Sequence, residues 1–167
     1  GDLGAPMKAR FLTWLGDQLG AEPGMLDVVL AAAGAEKAHE GLNLLSQQVP
    51  LDHPRVARAV RYRQDLAAFT DPERRGVMVL GRGLAHRWEV SVEVEPASYG
   101  MGLGRRMAEA ARSLVPSGEP LFAQIAPGNV RSLRAFLAAG FRPIAAEVLF
   151  LRLSDPPTYG IVSADEP

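Results

Sequence analysis

The segment Val92-Glu93-Val94-Glu95-Pro96-Ala97-Ser98-Tyr99-Gly100-Met101-Gly102-Leu103-Gly104-Arg105-Arg106 decides how this 167-residue chain is read. Residues 88–95 alternate strictly, with Trp88, Val90, Val92 and Val94 on one face of a strand and Glu89, Ser91, Glu93 and Glu95 on the other. Pro96 ends that strand, and three glycines spaced by two lead into a helical pattern over residues 102–115. Residues without side chains let backbone N–H groups approach an anion closely, and the helix dipole adds positive potential at the same point. A phosphate or pyrophosphate is the expected ligand. Arg105 and Arg106 in the first turn oppose the dipole but suit a polyanion docked on it. Two common phosphate loops do not fit. No Gly-Lys-Ser/Thr follows, and a G-x-G-x-x-G counted from Gly100 needs glycine at position 105, which is Arg.

Outward from this segment the pattern predicts a mixed α/β sheet. Upstream, residues 56–70 include alternating stretches such as Val60-Arg61-Tyr62-Arg63 and read as a long antiparallel strand. Residues 71–76 carry turn chemistry, residues 77–80 form a second strand, and 81–86 turn back into the strand at 88–95. Three strands joined by short turns make an antiparallel meander. Downstream, residues 121–126 are a short apolar strand, 129–139 a helix closed by Gly140, and 141–153 one or two final strands. A strand–helix–strand crossover of this length is right-handed and sets its strands parallel.

The first fifty residues read as a helical N-terminal segment of the same compact unit. Phe11, Leu12, Leu15 and Leu19 fall on one helical face with Trp14 beside them. A second apolar run at residues 25–33, between Pro23-Gly24 and Gly34, fits a short helix closed by Gly34 or a buried strand, and periodicity does not decide between them. Pro50 and Pro54 bracket a loop that divides this segment from a core at 51–154, with a tail at 155–167. Residues 1–6 read as a leader without fold signal.

Composition excludes several classes. There are 18 basic and 19 acidic residues, a net charge of −1, so no whole-molecule field favours nucleic acid. No cysteine is present, which removes disulfides, thiolate nucleophiles and cysteine zinc sites. His39, His53 and His86 lack metal-ligand spacing, so no metal is expected. No apolar run reaches the roughly 18 residues of a membrane span, and no signal peptide is legible, so a cytoplasmic protein without a membrane partner is expected.

Val94, Pro96 and Tyr99-Gly100-Met101-Gly102-Leu103-Gly104 together resemble motif A of the GNAT superfamily of N-acetyltransferases, V-x-P followed by Q/R-x-x-G-x-G/A. Tyr99 stands where that pattern has Gln or Arg. Asn129, Ser132, Phe136, Gly140 and Phe141 match the spacing of a second family block, 25 residues beyond Gly104. The resemblance covers residues 56–153. It implies acetyl-CoA as co-substrate, lying in a splay between the strands at 88–95 and 121–126. The pantetheine arm is expected against Val92, Glu93 and Val94, and the phosphates against Tyr99, Gly100, Met101, Gly102, Leu103, Gly104 and Arg105. Asn129, Ser132 and Phe136 complete the cofactor contacts. The implied reaction is direct attack on the thioester by a primary amine of a small molecule or peptide, with the acceptor pocket built by the N-terminal region.

Acid and base depart from the family template. The usual tyrosine falls at Phe136, leaving Tyr99 and Tyr62 as substitutes, and two usual base positions are Trp88 and Gln124. Glu93, with Glu89 second, is the candidate base; pairing of these glutamates with Arg61 and Arg63 across strands is the competing reading. Phe122, Phe141, Leu149 and Phe150 are expected in the core, and Phe11 and Trp14 against their own helix or the acceptor pocket. The alternatives to an acetyltransferase are an acyl-CoA-binding module without turnover and a nucleotide-phosphate enzyme using the same loop. The resemblance also implies a homodimer paired at a sheet edge as one possible assembly.

Overall fold

A computed structural model describes residues 4–36, 45–46 and 52–152 of the chain. The strand–helix alternation builds one seven-stranded mixed sheet. In chain order the elements are α1 (Ala9–Leu19), β1 (Ala21–Ala33), β2 (Leu45–Ser46), α2 (Pro54–Tyr62), β3 (Gln64–Thr70), β4 (Gly76–Arg82), β5 (Trp88–Val94), α3 (Leu103–Ala111), β6 (Pro120–Ile125), α4 (Val130–Ala138) and β7 (Arg142–Arg152). The order across the sheet is β2-β3-β4-β5-β6-β1-β7. The meander β3-β4-β5 is antiparallel, and β5 runs parallel to β6 through the α3 crossover.

Two regions differ from the sequence reading. The run at residues 25–33 is strand and belongs to β1, which lies antiparallel between β6 and β7. The N-terminal region is therefore helical only over α1, and its second element is an interior strand of the same sheet. Within β1, residues 28–31 pair on both sides, Ala32 and Ala33 pair with β6 alone, and the first half, residues 21–23 with Leu26 and Asp27, pairs with β7 alone. Pro23, which has no N–H to give, sits in this one-sided half.

The second difference is at residues 56–70. These hold α2 and the shorter strand β3, not one long strand. Pro54 stands at the first helical turn, and the His53 ring nitrogen accepts from the Arg55 N–H. Val56 and Ala59, three apart, are the buried residues of α2, and with Val79 they form a small cluster on one sheet face. The period-two look of Val60-Arg61-Tyr62-Arg63 comes from arginines on the solvated side of this helix and at its end.

The main core lies on the other face. Leu30, Met78, Leu80, Val90 and Leu121 point towards Leu103 and Met107 of α3 and Phe136 of α4. Phe141 is buried there, with its ring edge-on to Phe136 at 5.0 Å. Leu149, expected in the core, is 44% exposed on the edge strand β7, and Phe122 and Phe150 are half-buried. Phe11 and Trp14 contact one another at 5.6 Å on α1 and both remain largely exposed; only Gly16 of that helix is buried.

The turn between β3 and β4 is closed by Asp71. Its carboxylate is fully buried and accepts from the N–H groups of Arg75 (2.7 Å) and Gly76 (2.9 Å) and from Arg75 Nε (2.8 Å). Burial alone raises the pKa of this group, but these hydrogen bonds outweigh it and the net shift is downward. The proposed boundary loop near residue 50, His39 and the tail at 155–167 lie outside the described residues.

Candidate functional site

Strands β5 and β6 pair only at Trp88–Leu121 and Glu89–Phe122. Beyond that point no ladder joins them, so a gap opens between Val90–Val94 on one side and Ala123–Ile125 on the other. The glycine segment stands at its wide end. Gly100 (φ 80°) and Gly102 (φ 74°) occupy the left-handed region, and Gly102 is the N-cap of α3. A Cβ on Gly100 would meet nothing within 4 Å, and one on Gly102 would meet only the guanidinium of Arg106 at 3.4 Å. The approach to the first N–H groups of α3 is therefore open, and only glycine takes this backbone conformation at low cost.

Two cations flank that opening. Arg106 folds back so that Nη1 donates to the Met101 carbonyl at 3.0 Å. Arg131, in the first turn of α4, lies over the Tyr99 ring with its guanidinium carbon 3.6 Å from the centroid. Thus Tyr99, where the motif has a polar or cationic residue, holds a cation contributed by another helix. Sequence spacing carried no signal for this, because residues 99 and 131 belong to separate elements.

The remaining predicted contacts divide into two groups. Val92 and Val94 pack towards α3, whose first residue Leu103 is buried in the core, so only the backbone groups of all three reach the gap. Gly104 faces Val94 and Ala135, which a Cβ there would touch at ordinary contact distance. Arg105 pairs with Glu109 at 2.7 Å along the exposed side of α3. Asn129 caps α4, its side-chain oxygen accepting from the Ser132 N–H at 3.1 Å, which accounts for the Asn-x-x-Ser spacing. Phe136 is a core residue. A depression of about 590 Å³ runs along this end of the sheet, lined by Met25 of β1 and by Ala126, Gly128, Asn129 and Arg131.

On the face towards α2 the chemistry is ionic. Glu89 is buried and accepts from Arg87 Nε (2.8 Å), Gln124 Nε2 (3.0 Å) and Arg63 Nε (3.2 Å). Its carboxylate lies so close above Gly83 that a side chain there would have to displace it. Arg63 also reaches the Val79 carbonyl and the Ser91 hydroxyl. Burial lowers the Arg63 pKa, with Glu89 acting against it. Arg87 continues the row with a double contact to Glu147 at 3.0 and 3.3 Å. Burial lowers its pKa, but Glu147 and Glu89 outweigh that and the net shift is upward. Glu93 is half-exposed and pairs with Arg55 at 2.8 Å. The arginine partners of the two glutamates come from α2, its C-terminal flank and the turn before β5. Arg63 is among them; Arg61 instead lies over Tyr62, at the end of α2.

Asp27, which carried no signal in the sequence, stands on this same face. Val28 pairs with Ile125 and packs towards α3, so the neighbouring Asp27 points the other way, like Gln124. Across β7 it stands directly opposite Glu147. Burial raises its pKa, Arg58 opposes the shift and Glu147 adds to it.

No protein-family model matches the chain, and no curated protein matches it either. Solved structures do. A protein from Novosphingobium aromaticivorans placed in the GNAT acetyltransferase family aligns with a TM-score of 0.50 at 19% identity, covering 77% of this chain and 65% of that one. A GCN5-related N-acetyltransferase from Sphaerobacter thermophilus aligns with a TM-score of 0.49 at 16% identity, over 85% of this chain and 56% of that one. The chain thus spans under two thirds of the length of these neighbours.

Proposed function

We propose that this chain, which has the fold of the GNAT acetyltransferases, binds acetyl-CoA and acetylates a primary amine of a small molecule or peptide. One observation carries the reading. A helix N-terminus opened by Gly100 and Gly102 stands at the mouth of an unpaired gap between two parallel strands, flanked by the guanidinium groups of Arg106 and Arg131. An anionic head with a long neutral arm suits this combination: phosphates on the α3 N–H groups and the two arginines, the arm against the free backbone edge of β5. Bound there, acetyl-CoA supplies an activated acyl group, whose C–S bond breaks as the acceptor's C–N bond forms and the ammonium gives up two protons, one to the thiolate and one to a base.

The chain's own residues then have definite tasks. The N–H groups of Leu103 and Gly104 hold the phosphates, Arg131 on Tyr99 supplies the charge that a motif arginine would bring, and the edge of Val92–Val94 orients the arm. Phe136, packed against Phe141, has no hydroxyl to give the leaving thiolate. This favours as a second reading an acyl-CoA-binding module with little turnover.

Thermal shift with CoA, acetyl-CoA, NAD and ATP tests the ligand class. At 100 times the dissociation constant a ligand stabilises by about 2.7 kcal/mol. A shift with CoA and acetyl-CoA alone is expected, and a shift with NAD or ATP alone would overturn the reading. Release of free thiol from acetyl-CoA across an amine panel separates the enzyme from the binding module. Arg131→Ala should weaken CoA more than it weakens dephosphorylated pantetheine, since only the former carries the charge that Arg131 meets.

A further inference from the structure

Resting on that reading, we infer that Asp27 is the group that takes the proton of the incoming ammonium, and that the Asp27–Glu147 pair makes the acceptor an alkylamine that arrives protonated. A ligand held by its phosphates at the N-terminus of α3 and running through the gap between β5 and β6 emerges on the opposite face of the sheet. That is the face of α2, Glu89, Gln124 and Asp27. Four carboxylates are placed there by the strands, and their surroundings differ. Glu93 is half-exposed and ion-paired with Arg55 of α2, on the side away from β1. Glu89 accepts from two arginines and a glutamine amide, so its lone pairs are spent and its charge is compensated. Glu147 is held by both terminal nitrogens of Arg87. Asp27 accepts no hydrogen bond from the described residues, although it is half-buried.

Position adds to this. β1 runs past the end of β6, which stops at Ile125, so Asp27 lies at the wide end of the gap on its far side. Met25, two residues earlier, lines the depression with the turn that starts α4. The charged groups that act on Asp27 are Glu147 from β7 and Arg58 from α2; Arg87 and Glu89 stand behind Glu147 in the same row. An alkylammonium entering this space meets two carboxylates on adjacent strands with one arginine between them and the next. Asp27 is the one with lone pairs available. In the step, an N–H bond of the ammonium breaks, an O–H bond forms on Asp27, and the nitrogen keeps the electron pair with which it attacks. The upward displacement of the Asp27 pKa brings the carboxylate nearer to the ammonium in basicity.

The test uses Asp27→Asn in the full chain with acetyl-CoA and three probe amines, phenethylamine, spermidine and aniline. For the two alkylamines kcat/KM should fall by about 100-fold or more, the lower range for loss of a general base, while the thermal shift with CoA is unchanged. Aniline is neutral at pH 7 and has no proton to lose before attack, so its loss should be much smaller. Carboxyl-carbon NMR of the protein without CoA should show Asp27 titrating above the ordinary aspartate range. A raised native pKa means that ionisation costs stability once pH exceeds the unfolded value, so Asp27→Asn should be the more stable protein at neutral pH. Alkylamine turnover by Asp27→Asn within a few-fold of the parent, or an Asp27 pKa at or below the ordinary range, would overturn the assignment while leaving CoA binding intact. No turnover of any probe amine by the parent protein also overturns it. Absence of a CoA shift in the parent removes the acetyltransferase reading itself.

Discussion

The face of the sheet under α3 and α4 and the face under α2 are stabilised by opposite means. Under α3 lie Leu30, Met78, Val90 and Leu121, closed by Leu103, Met107 and Phe136, with no buried charge among them. Under α2, beside the small cluster of Val56, Ala59 and Val79, runs a row of alternating sign, Arg63, Glu89, Arg87 and Glu147. The apolar face loses stability in proportion to the volume removed. The ionic face keeps its stability only while every charge has its partner, because each buried ion costs several kcal/mol when left alone. The two requirements also suit different work: a dry layer fixes the glycine loop of α3, and a charged layer suits the polar acceptor proposed above.

The contrast predicts a ranked series. Glu89→Ala leaves Arg63 and Arg87 facing each other without their shared anion, and should cost about 3–5 kcal/mol in chemical denaturation. Leu121→Ala on the apolar face should cost about 3 kcal/mol, in the range for a buried leucine. An equal loss for Leu121→Ala and Glu89→Gln, which keeps the volume but not the charge, would show that packing governs both faces. Asp71→Asn removes a charged acceptor from two N–H groups and a guanidinium, and should cost about 2 kcal/mol near neutral pH. The native pKa of Asp71 is depressed, so its contribution is present above the ordinary value of 3.8 and is lost as pH falls through the native one. The stability gap between parent and Asp71→Asn should therefore close in acid. Arg55→Ala breaks the half-exposed pair with Glu93 and should cost less than about 1 kcal/mol, less still at high salt. Gly102→Val belongs to neither face. It forces a β-branched residue to φ 74° at a strain of about 1–2 kcal/mol, and should remove the CoA shift while the protein still folds.

The apolar side of the molecule was legible because its signals are local. Alternation over Trp88–Val94, the glycines that follow, and Asn129 with Ser132 all act within a few residues of one another. The mixed α/β sheet, the antiparallel meander and the parallel crossover were read correctly from such patterns. The ionic side was legible only in the expected pairing of Glu89 with Arg63. Its partners come from α2, the turn before β5, β6, β7 and β1, and no spacing in the chain brings Arg63, Arg87, Gln124 and Glu147 together. Two local ambiguities hid the rest. Residues 25–33 are apolar without a decisive period, since β1 is buried on both faces over part of its length. The arginines of α2 imitate strand alternation, although Pro54, His53 and the Val56–Ala59 interval mark a helix start. Asp27 was passed over because its significance depends on a strand whose place in the sheet was not foreseen.

That place has a cost in time. β1 is an interior strand, yet its partners Ile125 and Ala146 come about a hundred residues later in the chain. Until β6 and β7 exist, the hydrogen-bonding edges of an apolar strand have nothing to pair with, and pairing across such a separation is slow to form. The meander, by contrast, closes through turns of a few residues. Refolding should therefore show the meander protected in hydrogen exchange before β1, with the Asp27 side of the molecule the last to be completed.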